Sequence, residues 1–172
     1  ISGRLTVTAG STLALSTLTF GGDTSVVMEG GATSGAKITG SAALTLAGNV
    51  KVNDKGTGTD GAKIECPVNL GATRTFTVAD DGSSAPDLTI SGIISTGFGI
   101  VKAGAGELVL SGNNTYSGST TINAGTVLIS ASERISNSSQ IILGGGTFST
   151  GATSGYSEDV GTLQLTDHST IN

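Results

Sequence analysis

The sequence has no tryptophan, one cysteine and two prolines. Aromatic residues make up 3% of it and charged residues 12%. Each shortage excludes something. Cys66, standing alone, cannot close an internal disulfide, so the cross-linked frameworks of small secreted domains are ruled out. In Ile64-Glu65-Cys66-Pro67-Val68 it lies in a strand-like run and reads as an inert small core or edge residue rather than a functional thiol. So few aromatics argue against a two-sheet β-sandwich, the rival fold, which would bury a large ring and alternate regularly every 8–12 residues or so. No window holds the roughly 18 consecutive apolar residues that a transmembrane helix needs, so this segment is not expected to insert into a membrane. The eight basic residues are scattered, the net charge is −5, and no basic stripe is interleaved with aromatics; nucleic acid is therefore not an expected partner. No stretch repeats apolar residues at helical spacing between caps. Ser130–Ser139 is the best helical candidate, but serine and asparagine dominate it and it reads as a corner loop.

What is abundant is glycine, 28 residues of 172, together with valine, isoleucine, leucine, threonine and serine. Gly-X-Y periodicity is absent, which excludes collagen, and hydrophobics at 36% argue against disorder. A thin core of stacked aliphatic side chains follows, with small residues where the backbone turns. A loose motif recurs, a short strand of apolar residues alternating with Thr, Ser or another residue, often leading into Gly. It is seen at Arg4–Gly10, Ala43–Gly48, Asp87–Gly92, Glu107–Gly112, Gln140–Gly144 and Thr162–Thr166. Alternate residues of a strand face the same way, so Leu5 and Val7 face in while Thr6 and Thr8 face out. The uneven spacing of the copies fits one to two coils each of about 20 residues. One coil cannot bury its apolar face; piled coils bury it continuously and pair every strand edge except at the ends. The expected fold is all-β, a right-handed parallel β-helix (β-solenoid) forming one unit over residues 1–172. It would have roughly 7–9 coils and a length of roughly 35–45 Å at the usual strand spacing. Turn-rich stretches are expected at 30–35, 53–61, 80–86 and 151–159.

Residues 99–129 spell out one coil. Glu107–Leu110, Thr120–Ile122 and Thr126–Ile129 read as strands, and 104–106, 112–114 and 123–125 as turns. Leu108, Leu110, Ile122, Val127 and Leu128 are expected to face inward, with Gly112, Gly118 and Gly125 at corners. From Lys102-Ala103-Gly104-Ala105-Gly106 through Leu108, Leu110-Ser111-Gly112, Asn114-Thr115-Tyr116, Gly118, Thr120, Ile122 and Gly125-Thr126, residues 102–128 resemble the passenger-associated transport repeat. This repeat is also known as the autotransporter-associated β-strand repeat. The resemblance implies a parallel β-helix on a bacterial surface, in which the repeat is structural, aids secretion and carries no catalytic residues.

The polar residues were weighed for chemistry. Enzymes on β-helices, such as polysaccharide lyases and hydrolases, gather carboxylates with Arg or Lys in one cleft. Here most of the 13 carboxylates lie in turn-like runs, where short carboxylates stabilise turns. Asp80-Asp81 is no convincing dyad. His168, the single histidine, has Asp167 next to it, but neighbours on a strand face apart. Gly56–Gly61 partly resembles a calcium nonapeptide but occurs once, and such sites are shared between tandem copies. Asn113 and Asn137 fit the glycosylation sequon; Asn113 is read as a corner residue. The expectation is a structural segment, not an enzyme, with no catalytic residue, cofactor or metal. It would serve as a stalk or scaffold for adhesion in a secreted or cell-surface protein. Two alternatives stand beside it, a filament subunit that pairs head to tail through its end strands and a carbohydrate-active β-helix. The chain begins at Ile1 and both ends read as strand, so its expected partners are other segments of the same protein or identical subunits end to end, with a host or matrix surface as a further candidate.

Overall fold

A computed structural model describes residues 4–15, 25–29, 35–53, 60–151 and 155–172. Among these there is no helix, and every strand pairing is parallel. The chain is a β-solenoid. Its first face stacks Arg4–Val7, Ser25–Glu29, Val50–Asn53, Arg74–Val78, Ile100–Ala103, Thr120–Ile122, Gln140–Leu143 and Thr162–Leu165. Its second face stacks Thr12–Leu15, Lys37–Gly40, Ala62–Ile64, Leu88–Ile90, Glu107–Leu110, Thr126–Ile129, Thr147–Ser149 and Thr170–Ile171. A short third face holds Leu44–Leu46, Val68–Leu70 and Ile94–Ser95.

The core follows from alternation. Three-residue strands such as Leu44–Leu46, Val68–Leu70 and Leu88–Ile90 bury their first and last side chains and leave the middle one half-exposed. Register turns this into continuous ladders. On the second face Ile38, Ile64, Ile90, Leu110 and Ile129 lie one above another, all fully buried. A β-branched or leucine side chain at each rung touches its copies above and below, so no single coil holds its own core.

Coil length varies. Lys102 pairs with Ile122 after 20 residues, whereas Phe76 pairs with Lys102 after 26. Because many coils exceed 20 residues, the number of turns differs slightly from that expected. The recurring strand motif also proves not to mark one position in the coil. Leu44–Leu46 lies on the third face, Leu88–Ile90 and Glu107–Leu110 on the second, and Arg4–Val7, Gln140–Leu143 and Thr162–Leu165 on the first. That is why the spacing of its copies is uneven.

The third face changes character along the axis. After Ile94–Ser95 the backbone ladder continues through the amides of Thr115 and Ser117, which donate to Ile94 O at 2.9 Å and Thr96 O at 3.0 Å. Beyond that, side chains take over. Asn114 Oδ1 accepts from the Ile94 amide at 2.8 Å, and its Nδ2 donates to Arg134 O at 2.7 Å. The Glu158 carboxylate then accepts from the amides of Arg134 and Ile135 at 2.8 and 2.7 Å. Ser130–Ser139 forms no strand or helix and is the expected corner loop.

Candidate functional site

The coil over 99–129 carries buried apolar and polar residues together. Leu108, Leu110, Ile122 and Val127 are fully buried, as expected. Leu128 is not an inward residue. The strand Thr126–Ile129 buries Val127 and Ile129 and leaves Leu128 half-exposed on the opposite face, paired with Val109 and Ser149, which are themselves covered. Two adjacent strand residues cannot share a face, and stacking under Leu108 and Leu110 selects Val127 and Ile129. Gly112, Gly118 and Gly125 all lie at corners outside the strands. At Gly118 the coils touch backbone to backbone, since a Cβ there would stand 2.2 Å from Gly99 N.

The core of this coil contains a charge. Lys102 shares its face with Ile100, is 0% exposed, and stacks between Phe76 and Ile122. Its ammonium donates to Gly104 O at 2.7 Å, Ala103 O at 2.9 Å and Ala124 O at 3.2 Å. An ammonium has three donors and no acceptor, so every proton is used. Gly125 closes the corner with φ +67°. A Cβ there would meet Gly106 O at 2.4 Å and the Lys102 Nζ at 2.7 Å, so both conformation and space require glycine. Burial pulls the Lys102 ammonium down from 10.5 to about 8, an effect partly countered by the carboxylate of Asp87.

A second buried polar chain runs across the coil. Tyr116, fully buried, has its hydroxyl 2.6 Å from Thr120 Oγ1. Thr120 Oγ1 lies 3.5 Å from Ser139 Oγ, which in turn donates to Gly118 O at 2.7 Å. Burial raises the Tyr116 phenol, which keeps it neutral.

Residues 100–129 match the family model described as passenger-associated-transport-repeat. The chain carries one such repeat. No curated protein and no solved structure matches the chain. Most motif residues of the repeat have a place in this geometry. The lysine is the buried ammonium, the glycines are corners, the leucines are rungs, Asn114 bridges the third face, and Tyr116 with Thr120 forms the internal hydroxyl pair. The motif is spent on interactions inside the solenoid.

Outside the repeat, the structure gathers Asp80, Asp81 and Asp87, each with a carboxylate oxygen within 4.8 Å of the others. These residues could face a cation, but their oxygens already serve turns. Asp80 Oδ1 accepts from the Gly82 amide and Asp81 Oδ1 from the Ser83 amide, both at 2.8 Å. Asp87 accepts from the amides of Glu107 at 2.7 Å and Asp81 at 3.2 Å. Asp80 and Asp87, with Ser83, Ser84, Glu107 and Thr126, line an open hollow. The turn-stabilising role expected of such carboxylates is what these bonds show at Asp80 and Asp81; Asp87 joins them only through the fold.

His168 lies with its Nδ1 3.2 Å from Asp167 Oδ1, a contact made on a bend rather than a strand, and both side chains are exposed. Cys66 is buried in the aliphatic core, where burial raises its thiol. Asp60 pairs with Lys63. Residues 56–59 of the calcium-like stretch lie outside the described residues, as do 30–34, 54–59 and 152–154 of the expected turns. Sequence reading missed the role of Lys102. No signal in the sequence decided it, because the strand Ile100–Ala103 alternates equally well with Lys102 on either face.

Proposed function

We propose that this chain is a structural β-helix segment of a bacterial secreted or cell-surface protein, serving as a stalk or scaffold that holds adhesive parts away from the cell. Its repeat would aid passage of the polypeptide across the outer membrane. The observation that carries this reading is the repeat itself, whose Lys102, Ser111 and Asn114 bond to neighbouring coils while Tyr116 and Thr120 bond within its own. A repeat of that kind makes a self-supporting rung that can fold as soon as its neighbour is in place, without a ligand. On this reading the chain is not an enzyme and needs no cofactor. Its partners are other segments of the same protein and, at the far end of the rod, a host or matrix surface. The test is export of the parent protein with residues 100–129 deleted, measured by protease accessibility on intact cells. Surface exposure is expected to fall several-fold relative to an equal deletion in another coil. Equal exposure of the two would remove the secretion role.

A second reading is a subunit that associates end to end. Leu163, Leu165 and Ile171 continue the inward ladders of Ile141, Leu143 and Phe148, yet are 46%, 56% and 52% exposed. These rungs and strand edges suit a further coil, whether of the same protein or of a second copy. A carbohydrate-active β-helix would need turnover of an acidic polysaccharide that a single Asp→Asn change abolishes.

A further inference from the structure

We infer that the carbonyls of Ala103, Gly104 and Ala124 form a cation cage, with the Lys102 ammonium as its tethered occupant and the positioning group of the coil that stacks above. When the side chain is cut back, the vacated cage takes a primary alkylammonium ion.

Three observations carry this. First, donors and acceptors match in number, with three N–H groups of the fully buried lysine meeting three carbonyl oxygens of half-buried corner residues at 2.7, 2.9 and 3.2 Å. Among the described residues no main-chain amide donates to Gly104 O or Ala124 O, so these two carbonyls depend on the ammonium. A carbonyl oxygen drawn toward the core without a donor is costly, so the corner suits a cation with N–H groups rather than an apolar plug. Second, the oxygens come from two coils. Ala103 and Gly104 follow Lys102 directly, whereas Ala124 lies 22 residues on. The third bond therefore exists only when the following coil stacks in register, and a slip of one residue would turn Ala124 O away and every rung over. Third, Gly104 and Gly125, at φ +78° and +67°, keep the corner free of side chains: a Cβ on Gly104 would stand 2.3 Å from Val78 O, and one on Gly125 2.7 Å from the Lys102 Nζ. The charged group bearing on the ammonium is Asp87, beyond ion-pair distance, and Glu107 in turn feels Asp87. The field at the cage is thus negative, as a cation requires.

The test uses the whole chain and three variants. Lys102→Met keeps the length and removes the donors. Its melting midpoint is expected to fall by about 5 °C or more, with lost hydrogen-exchange protection at the amides of Asn123 and Thr126, which join this coil to the one above. Lys102→Arg, whose planar fork does not fit a three-point corner, should recover little of this. Lys102→Ala lacks a propylammonium fragment, and n-propylammonium should restore its midpoint by a few degrees, while tetramethylammonium, which has no N–H, should not. If the alanine variant does not fold, the same contrast is read as refolding yield with each ion. A methionine variant as stable and protected as the wild type would overturn the inference. Equal effects of the two ions would also overturn it.

Discussion

Leu110 and Lys102 are both fully buried and lie in the same coil, yet they obey opposite rules. Leu110 stacks between Ile90 and Ile129 in an aliphatic ladder with no polar group to receive a charge. Leu110→Asp should therefore cost about 4 kcal/mol or more, by loss of the leucine contacts and by burial of an unpaired carboxylate. A melting curve of the variant superimposing on that of wild type would disprove the inward placement. Lys102 keeps its charge at neutral pH because three carbonyls replace its water. The leucine was legible in the sequence from alternation in Glu107–Leu110. The lysine was not, because Ile100-Val101-Lys102-Ala103 alternates equally well with Val101 and Ala103 facing inward. Only the stacking of Ile100 against Thr120 and Lys102 against Ile122 chooses.

At the scale of one element, the turn from Asp80 to Asp87 concentrates negative charge against the strand Glu107–Leu110. Burial raises the Asp87 carboxyl; the bonds from Glu107 and Asp81 lower it, and Asp81 and Asp80 raise it again. Glu107 is likewise raised, first by burial and then by Asp87. A raised carboxyl binds its proton more tightly in the folded state than in the unfolded one. Stability from this element is therefore complete below the ordinary carboxyl values of 3.8 and 4.5 and is lost as pH rises through the higher folded values. The wild type should consequently lose midpoint between pH 4 and pH 7 more steeply than Asp87→Asn, at matched ionic strength. Identical slopes would show that the cluster is too well solvated to matter. Sequence alone identified Asp80 and Asp81 as turn residues, because an aspartate beside Gly and Ser caps its own turn. It could not bring in Asp87, whose contact with the Glu107 amide spans 20 residues and depends on coil length. The same ambiguity misplaced Leu128. In Thr126-Val127-Leu128-Ile129 three apolar residues run together, and only the neighbouring strand says which two face inward.

At the scale of the molecule the solenoid is held by repetition rather than by a central core, so its last rungs matter as much as its middle. The exposed Leu163, Leu165 and Ile171 lie at the end where Thr162–Leu165 and Thr170–Ile171 each have a partner strand on one side only. The purified chain is expected to associate with rising concentration, and Leu165→Lys to reduce that association several-fold in light scattering while leaving the melting midpoint within a few degrees. Scattering independent of concentration in the wild type would set the end-to-end reading aside. The sequence by itself determined the class of this fold and the place of its repeat. Sparse aromatics, abundant glycine and short alternating strands leave an aliphatic stack as the way to bury apolar surface, and the motif lies within a single coil. The tertiary structure decided which face each residue takes and which polar groups meet. A strand's period of two allows either face until the neighbouring coil fixes the register, and hydrogen bonds such as that from Lys102 to Ala124 O join residues that only stacking makes neighbours.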